Sequence, residues 1–204
     1  MPTPPILLKL AQNIKNMHDI SPFYRWEKFY RPYQDPQSPF YGKKFSNQYE
    51  NEIYGYYIHP DWDYIGSETL YIKVLFVDYQ KKILIIELLG EWNDALHNDI
   101  MHLKRNIIDE FLKQDIQYFI LIGENILNFH GSDDCYYEEW FEELEQGWIA
   151  LLNFRDFVLK EMTHYNLDSY LIWGGLLDQL DEWRTQHPLK LFQQVAQEVR
   201  RRIG

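Results

Sequence analysis

The sequence predicts an α/β protein with a mixed, mostly parallel sheet of four to five strands and with helices packed on that sheet. Between residues 69 and 204, short β-rich runs alternate with segments of helical periodicity in the order β-β-α-β-α-β-α. A helix-start signal and an aromatic-rich segment precede this pattern. We therefore expect two parts. Residues 1–66 form an N-terminal helix and an irregular arm that packs on the core, and residues 69–204 form the α/β core domain.

The N-terminal part combines a helix with an arm rich in tyrosine and proline. Thr3 followed by Pro4 and Pro5 predicts a helix that ends near His18, because proline suits the first helical turn. Residues 21–66 hold five of the nine prolines and nine tyrosines, and such proline density blocks regular helix and interior strand. One strand is expected within residues 53–58. A packed arm or dimer contact is favoured over an aromatic face that binds a ligand such as a carbohydrate.

The first half of the core predicts a hairpin, a helix and a third strand. Thr69–Val77 and Ile83–Leu89 are β-rich, and residues 78–82 join them as a turn. Asn93 can cap a helix over residues 94–113, where apolar side chains recur at helical spacing. Ile116–Ile122 is an uninterrupted apolar run, which is typical of a strand covered on both faces.

The second half of the core predicts two helical regions separated by a strand. A loop over residues 123–132 leads into a helical region that reaches about Tyr165, broken or kinked at Gly147. Its apolar stripe includes Trp148 and Leu151. Residues 169–173 are expected to form a fourth strand, and Gly174 and Gly175 turn the chain. Residues 188–203 form the last helix, whose negative end suits the arginines at 200–202.

Composition and charge exclude several classes of protein. Hydrophobic residues are 46% and charged residues 25% of the chain, which excludes a disordered protein. The net charge is −11, and eight acids without Lys or Arg lie from Glu124 to Glu145, so we expect no nucleic-acid partner. The absence of a secretion signal and of a long apolar run predicts no membrane contact. Together with the single cysteine, Cys135, for which an inert role is favoured, this predicts a cytoplasmic protein.

The carboxyl ends of the parallel strands are the expected position of a site, because open α/β sheets bind ligands there. Three predicted loops meet at this edge, at residues 90–94, 123–134 and 174–178. Their acids could hold Mg²⁺ or Ca²⁺, but helix capping explains several of them equally well, and their spacing matches no metal motif. We predict no metal, no cofactor and no catalytic residue. The acids of these loops are Glu91, Asp94, Glu124, Asp133 and Asp134, with His130 as the histidine best placed to react.

Two stretches carry a family resemblance. They are Ile83–Leu89 followed by Gly-Glu-Trp-Asn-Asp-Ala at 90–95, and Phe119–Ile122 followed by Asn-Phe-His-Gly-Ser-Asp at 128–133. With the helix between them, they make residues 69–204 resemble STAS domains of the anti-sigma-factor-antagonist type. Matched on Phe129, the phosphorylatable serine of that family falls on Ser132, although its neighbours depart from the family's D-S-S-G. The resemblance implies a non-enzymatic module that binds a protein or a small ligand. As a residue, Ser132 could accept a phosphate or simply cap the helix that follows.

Two functions remain open on the sequence. The first is a regulatory or protein-interaction module that contacts another protein or a small ligand through the strand-end loops and an acidic helix at 134–145, with exposed aromatic rings as anchors. The alternative is a metal-assisted hydrolase with a carboxylate cluster at the strand ends. A homodimer through the aromatic arm is a further interpretation. The predicted binding residues are Glu91, Trp92, Asp94, Glu124, His130, Ser132, Asp133, Asp134 and Trp140.

Overall fold

The structure, a computed structural model, describes residues 20–44, 48–49 and 51–203, and the predicted N-terminal helix lies outside them. A five-stranded sheet forms its centre. From one edge to the other, its strands are β3 (Asp63–Tyr64), β4 (Leu70–Asp78), β5 (Ile83–Asn93), β6 (Tyr118–His130) and β7 (Trp148–Leu152). The strand pairs β3–β4 and β4–β5 are antiparallel, whereas β5–β6 and β6–β7 are parallel. The predicted mixed α/β fold is therefore confirmed.

The central strands run further than the sequence predicts. β5 continues to Asn93 and β6 continues to His130, so residues 90–93 and 123–130 are strand and the expectation of loops there is wrong. Parallel pairing between the two strands, with Gly90 opposite Ile126 and Asn93 opposite His130, carries both past their glycines. Every residue of β5 is buried, because helices or the arm cover both faces of the sheet.

The helix predicted after Asn93 is present in several short pieces. The Asn93 side chain accepts a hydrogen bond from Leu96 N at 3.0 Å, as expected of a cap. Asn98 then adopts a left-handed conformation with φ 52°, which breaks the helix. The pieces are α1 (Asp94–His97), α2 (Asp99–Leu103), a π-helical turn (Lys104–Ile108) and α3 (Asp109–Leu112).

The long helical region predicted up to Tyr165 is wrong in its middle. It consists of α4 (Cys135–Glu142), then strand β7, then α5 (Asp156–His164). Trp-Ile-Ala-Leu-Leu is apolar at every position, so it suits a strand buried on both faces as well as it suits a helix. A side chain on Gly147 would place its Cβ 1.9 Å from the carbonyl oxygen of Gln117, so only glycine lets β7 start this close to β6.

The predicted strand at 169–173 is also wrong. Residues Leu167–Ser169 form a 3-10 helix, and the only sheet contact in this part of the described chain is a bridge between Ile172 and Ala150. The strand that follows β6 in the sheet is β7. Two further 3-10 helices follow, Gly175–Asp178 and Asp181–Thr185, before α6 (Pro188–Ile203), whose start at Pro188 is as predicted.

Helices and the arm cover the two faces of the sheet differently. Apolar residues of α2, the π-helical turn, α3, α4 and α5 pack on one face. On the other face, α6 packs beside the arm residue Trp26, whose ring meets Trp183 edge-on at 5.4 Å. None of the helices in the described ranges combines the length and apolar character that a membrane span requires.

The arm is irregular, apart from short elements. It contains 3-10 helices Arg25–Lys28 and Pro32–Gln34 and a two-stranded hairpin of β1 (Glu52–Ile53) and β2 (Tyr56–Tyr57). The single strand predicted within residues 53–58 is thus a tight hairpin. This hairpin lies beside the carboxyl end of β5, where Ile53 packs with Leu89.

Candidate binding site at the strand ends

The carboxyl ends of β5 and β6 and the arm hairpin enclose an apolar pocket of about 250 Å³. Leu89, Gly90 and Leu127 contribute from the strands, and hydrophobic or aromatic residues of the arm contribute the remaining wall. The pocket lies at the edge of the sheet where open α/β folds bind ligands. Its lining residues are Ile20, Ile53, Tyr56, Tyr57, Ile58, Leu89, Gly90 and Leu127.

Gly90 allows the arm and β4 to approach β5 closely. Its φ is 116°, and a Cβ there would lie 2.1 Å from the carbonyl oxygen of Thr69 and 2.8 Å from Ile53 Cδ1. Any side chain would therefore push away both β4 and the hairpin. Gly90, which the sequence places at the start of a loop, lies instead within β5 and lines the pocket.

The hairpin is tied to the strand end through Tyr54. Tyr54 and Gly55 both have positive φ, 52° and 80°, as a two-residue type I′ turn requires. A bulky residue rarely adopts this conformation, so the first position is strained. The Tyr54 hydroxyl donates a hydrogen bond to Glu91, and this bond, followed by burial, raises the pKa of Tyr54 to about 12. The contact offsets the strain and holds the hairpin over the pocket.

A polar group borders the pocket at Glu91. This side chain is buried, and its Oε1 lies 2.7 Å from Nε2 of His130, which is about half exposed. The side-chain nitrogen of Asn128 lies 2.9 Å from the same histidine nitrogen. The sequence prediction that Glu91 and His130 lie together at the strand ends agrees with this geometry. Nε2 donates to Glu91 when it carries a proton and accepts from Asn128 when it does not, so the tautomer of His130 decides which of the two contacts is a hydrogen bond.

Trp92 and Asp94 lie inside the core. Asp94 accepts hydrogen bonds from Trp92 Nε1 at 3.0 Å, from Ile100 N at 2.8 Å and from the Tyr137 hydroxyl at 2.6 Å. Burial raises the pKa of Asp94 to about 7, although these hydrogen bonds act in the opposite direction. The Trp92 ring is fully buried. The expectation that Trp92 is an exposed anchor is therefore wrong, and Asp94 fixes the start of α2.

Glu124 belongs to a different cluster on the face of the sheet that the arm covers. It accepts hydrogen bonds from Trp183 Nε1 at 2.6 Å, Asn153 Nδ2 at 2.9 Å and Arg184 Nη1 at 2.5 Å. Arg184 also reaches Glu87 at 3.3 Å. Sequence reasoning missed Glu87, although an acid in the middle of an apolar strand was a signal of a buried polar contact.

Ser132, Asp133 and Asp134 lead into α4, and the capping interpretation agrees with the position of Asp134 but not with that of Ser132. Asp134 is the N-cap residue, and its Oδ2 accepts a hydrogen bond from the Tyr170 hydroxyl at 3.0 Å. Asp133 accepts from Cys135 N at 3.3 Å. Ser132 is exposed and precedes the cap by two residues, so its interpretation as the N-cap is wrong. A hydrogen bond with Asp133 raises the pKa of the Cys135 thiol, which disfavours the reactive thiolate.

The predicted anchor Trp140 and much of the acidic helix are occupied by internal contacts. Trp140 is fully buried and meets Phe119 edge-on at 5.1 Å, so the expectation of an exposed ring is wrong. Glu139 is paired with Arg105 through two contacts of 2.5 and 2.6 Å. Glu143 pairs with Lys104 at 2.7 Å. Part of the negative charge of α4 is thus neutralised within the protein.

The carboxylate cluster required by the hydrolase hypothesis does not form among the described residues. Glu91, Asp94, Glu124 and Asp133 each contact different partners. The one group of three acids close enough to share an ion, within the described ranges, is Asp109 with Glu139 and Glu143. The buried ammonium of Lys104 contacts all three of these carboxylates, and Arg105 pairs with two of them, so cations of the protein already occupy the cluster.

Comparisons with known proteins concern the fold. The chain matches no model of a known protein family and no curated protein sequence. It is similar to the solved structure of the anti-sigma factor antagonist SpoIIAA in its unphosphorylated form, with a TM-score of 0.41 and 19% identity over 57% of this chain and 98% of that one. The phosphorylated form of SpoIIAA, described as a Bacillus cell fate determinant, gives a TM-score of 0.37 and 18% identity over 54% and 97%. Function depends on the side chains that this chain places on its own sheet.

Proposed function

We propose that this protein is a non-enzymatic interaction module that binds another protein at the strand-end pocket. The observation that carries the proposal is the apolar pocket between β5, β6 and the arm hairpin, bordered by the Glu91–His130 pair. The location supports a binding role, because the edge of an open α/β sheet is where its ligands bind. The proposed setting is the cytoplasm, where the exposed thiol of Cys135 would stay reduced.

The size of the pocket favours a protein partner over a free small molecule. Its volume of about 250 Å³ is below the roughly 300–1,000 Å³ of most small-molecule sites and matches one or two apolar side chains. Exposed rings and a leucine surround it, namely Tyr54, Tyr56, Tyr57 and Leu127. Tyrosine is enriched among the residues that dominate protein interfaces, because it adds a large contact area at low entropic cost.

Ser132 remains a proposed regulatory position. Its side chain is exposed on the segment that joins β6 to α4, so an enzyme could reach it. The adjacent Asp133 and Asp134 would repel an added phosphate, which would therefore weaken this end of α4.

A charge placed at the pocket tests the proposal. The protein and its cross-linked partner are recovered from cells, the partner is identified by mass spectrometry, and its affinity is measured by calorimetry. Leu127→Asp should weaken binding at least tenfold, because it puts a carboxylate against an apolar contact. Leu176→Asp is the matched control, since Leu176 is similarly exposed but does not line the pocket.

The contrary outcomes are specific. Equal affinity of wild type and Leu127→Asp would exclude the pocket as the interface. Equal weakening by both substitutions would indicate a general effect of added charge. If the cross-linked partner is a second copy of this chain, analytical ultracentrifugation would show a dimer that Leu127→Asp dissociates. That outcome would favour the homodimer predicted for the aromatic arm.

A further inference from the structure

A second cleft, of about 860 Å³, lies at the opposite end of the parallel strands from the strand-end pocket. Tyr118 and Trp148, the first residues of β6 and β7, form one side of it. Phe192, Ala196 and Val199 of α6 form the other. No function described above uses this cleft.

Three aromatic rings line the cleft and contact one another. Trp148 and Phe192 are stacked, with ring centroids 5.8 Å apart and planes inclined by 14°. Tyr118 lies 5.4 Å from Trp148 and 5.6 Å from Phe192. The rings are set by the sheet and by α6, so they form a preorganised apolar surface that can contact a flat ligand.

The polar atoms of the lining residues are mostly donors. Within the described ranges, neither the Tyr118 hydroxyl nor the Trp148 indole N–H has a hydrogen-bond partner, and Arg200 has no ion pair. Lys81, the other lining cation, contacts Asp78 at 3.2 Å through an exposed pair that a ligand can displace. The whole chain carries a net charge of −11, yet the charged residues that line this cleft are both cations.

We propose that this cleft binds a small organic anion with an aromatic body and a carboxylate group. The rings contact the body, and Arg200 and Lys81 pair with the carboxylate, for which Arg offers a planar set of donors. The Tyr118 hydroxyl and the Trp148 indole N–H can each donate a further hydrogen bond to a carboxylate oxygen. A cationic ligand would meet two like charges, and a neutral one would lose the ionic contact.

Three probes that share a naphthalene ring and differ in charge test the charge requirement. 1-Naphthoate, 1-naphthamide and 1-naphthylmethylammonium are titrated into the full chain by calorimetry and by NMR of the indole N–H of Trp148, assigned with Trp148→Phe. 1-Naphthoate should bind with a Kd below about 1 mM, as expected for a compact aromatic ligand, and should shift the Trp148 signal. The amide should bind at least about fivefold more weakly, and the ammonium should not bind.

Charge reversal on one helix provides the matched variants. Arg200→Glu should weaken 1-naphthoate binding about tenfold, because an attraction becomes a repulsion. Lys190→Glu makes the same charge change on α6 outside the cleft and should leave the Kd unchanged.

Three results would overturn the proposal. They are equal binding of carboxylate and amide, an unchanged Kd in Arg200→Glu, and a dimer of this chain that excludes 1-naphthoate from the cleft.

Discussion

The arm and the α/β core are held in place by different forces. In the core, aliphatic and aromatic side chains such as Leu84, Phe119 and Leu121 are completely buried in one apolar cluster. The arm instead attaches through aromatic rings such as Trp26, through the pairing of the short strand β3 with β4, and through hydrogen bonds to carboxylates. Phe23 N donates to Glu87 at 2.8 Å, and Tyr54 donates to Glu91.

From this difference we expect that detaching the arm costs less free energy than unfolding the core. Apolar packing is non-directional and does not depend on protonation, whereas a hydrogen bond to a carboxyl group depends on whether that group is ionised. Asp35 extends the same pattern, since the hydroxyl of Tyr30 donates to it from within the arm and that of Tyr79 donates from the core. The strand-end pocket is lined from both regions, so its shape depends on how firmly the arm is attached.

The largest expected effect is in the core. Phe119→Ala should lower the free energy of unfolding by about 3–5 kcal/mol, because it leaves a cavity beside Trp140. Phe29→Ala in the arm is the matched substitution and should cost less than about 1 kcal/mol, since Phe29 is 41% exposed. Urea denaturation measures both. Similar losses from the two substitutions would contradict the contrast between arm and core.

The next largest effect is the pH dependence of stability that is due to Glu87, which lies where the arm meets the core. Burial raises the pKa of Glu87 from 4.5 to about 7, against hydrogen bonds from Phe23 and Arg184 that lower it. The folded protein keeps this proton until about pH 7, whereas the unfolded chain loses it near 4.5. The protonated Glu87 therefore makes its full contribution to the free energy of unfolding below pH 4.5. This contribution, on the order of 3 kcal/mol, is lost as the pH rises through 7.

Glu87→Gln should remove this contribution to the pH slope, because glutamine does not titrate. Urea denaturation at pH 5 and pH 8 gives the change in the free energy of unfolding with pH for wild type and variant. Hydrogen exchange of the Phe23 amide reports the attachment of the arm. Asp94→Asn, which removes a carboxyl whose pKa is also raised, should change the slope but not the exchange of Phe23. An identical slope in wild type and Glu87→Gln would refute the assignment.

The smallest effect concerns the hairpin. Tyr54→Phe removes the hydroxyl that offsets the strain of the turn, so local opening of β1 and β2 should become easier by about 1 kcal/mol. Hydrogen exchange of the hairpin amides measures it. Tyr57→Phe is the control, because the Tyr57 hydroxyl has no hydrogen-bond partner in the described part of the chain. Glu91→Gln combined with Tyr54→Phe should show coupling, and strictly additive effects would exclude the contact.

Local sequence signals predict those elements that local forces stabilise. The β4–β5 hairpin follows from two apolar runs around a polar turn. The Asn93 side chain caps α1, which begins at the next residue, and Pro188 starts α6. Strand β7 was missed because its five apolar residues continue the helical spacing of the stripe before it. This segment is extended because it pairs residue by residue with Tyr118–Ile122 of β6, and no local signal in the sequence indicates that pairing.

The sequence by itself determined that a mixed sheet forms and that its strand ends carry Glu91 and His130. Only the tertiary structure decided which acids meet at that edge and which are turned into the interior. The sequence groups Asp94 and Glu124 with Glu91 because they follow neighbouring strands. In the structure, the Tyr137 hydroxyl donates to Asp94. Trp183 and Arg184 donate to Glu124. The physical reason is that a buried carboxylate must find donors, and the nearest donors come from segments far along the chain.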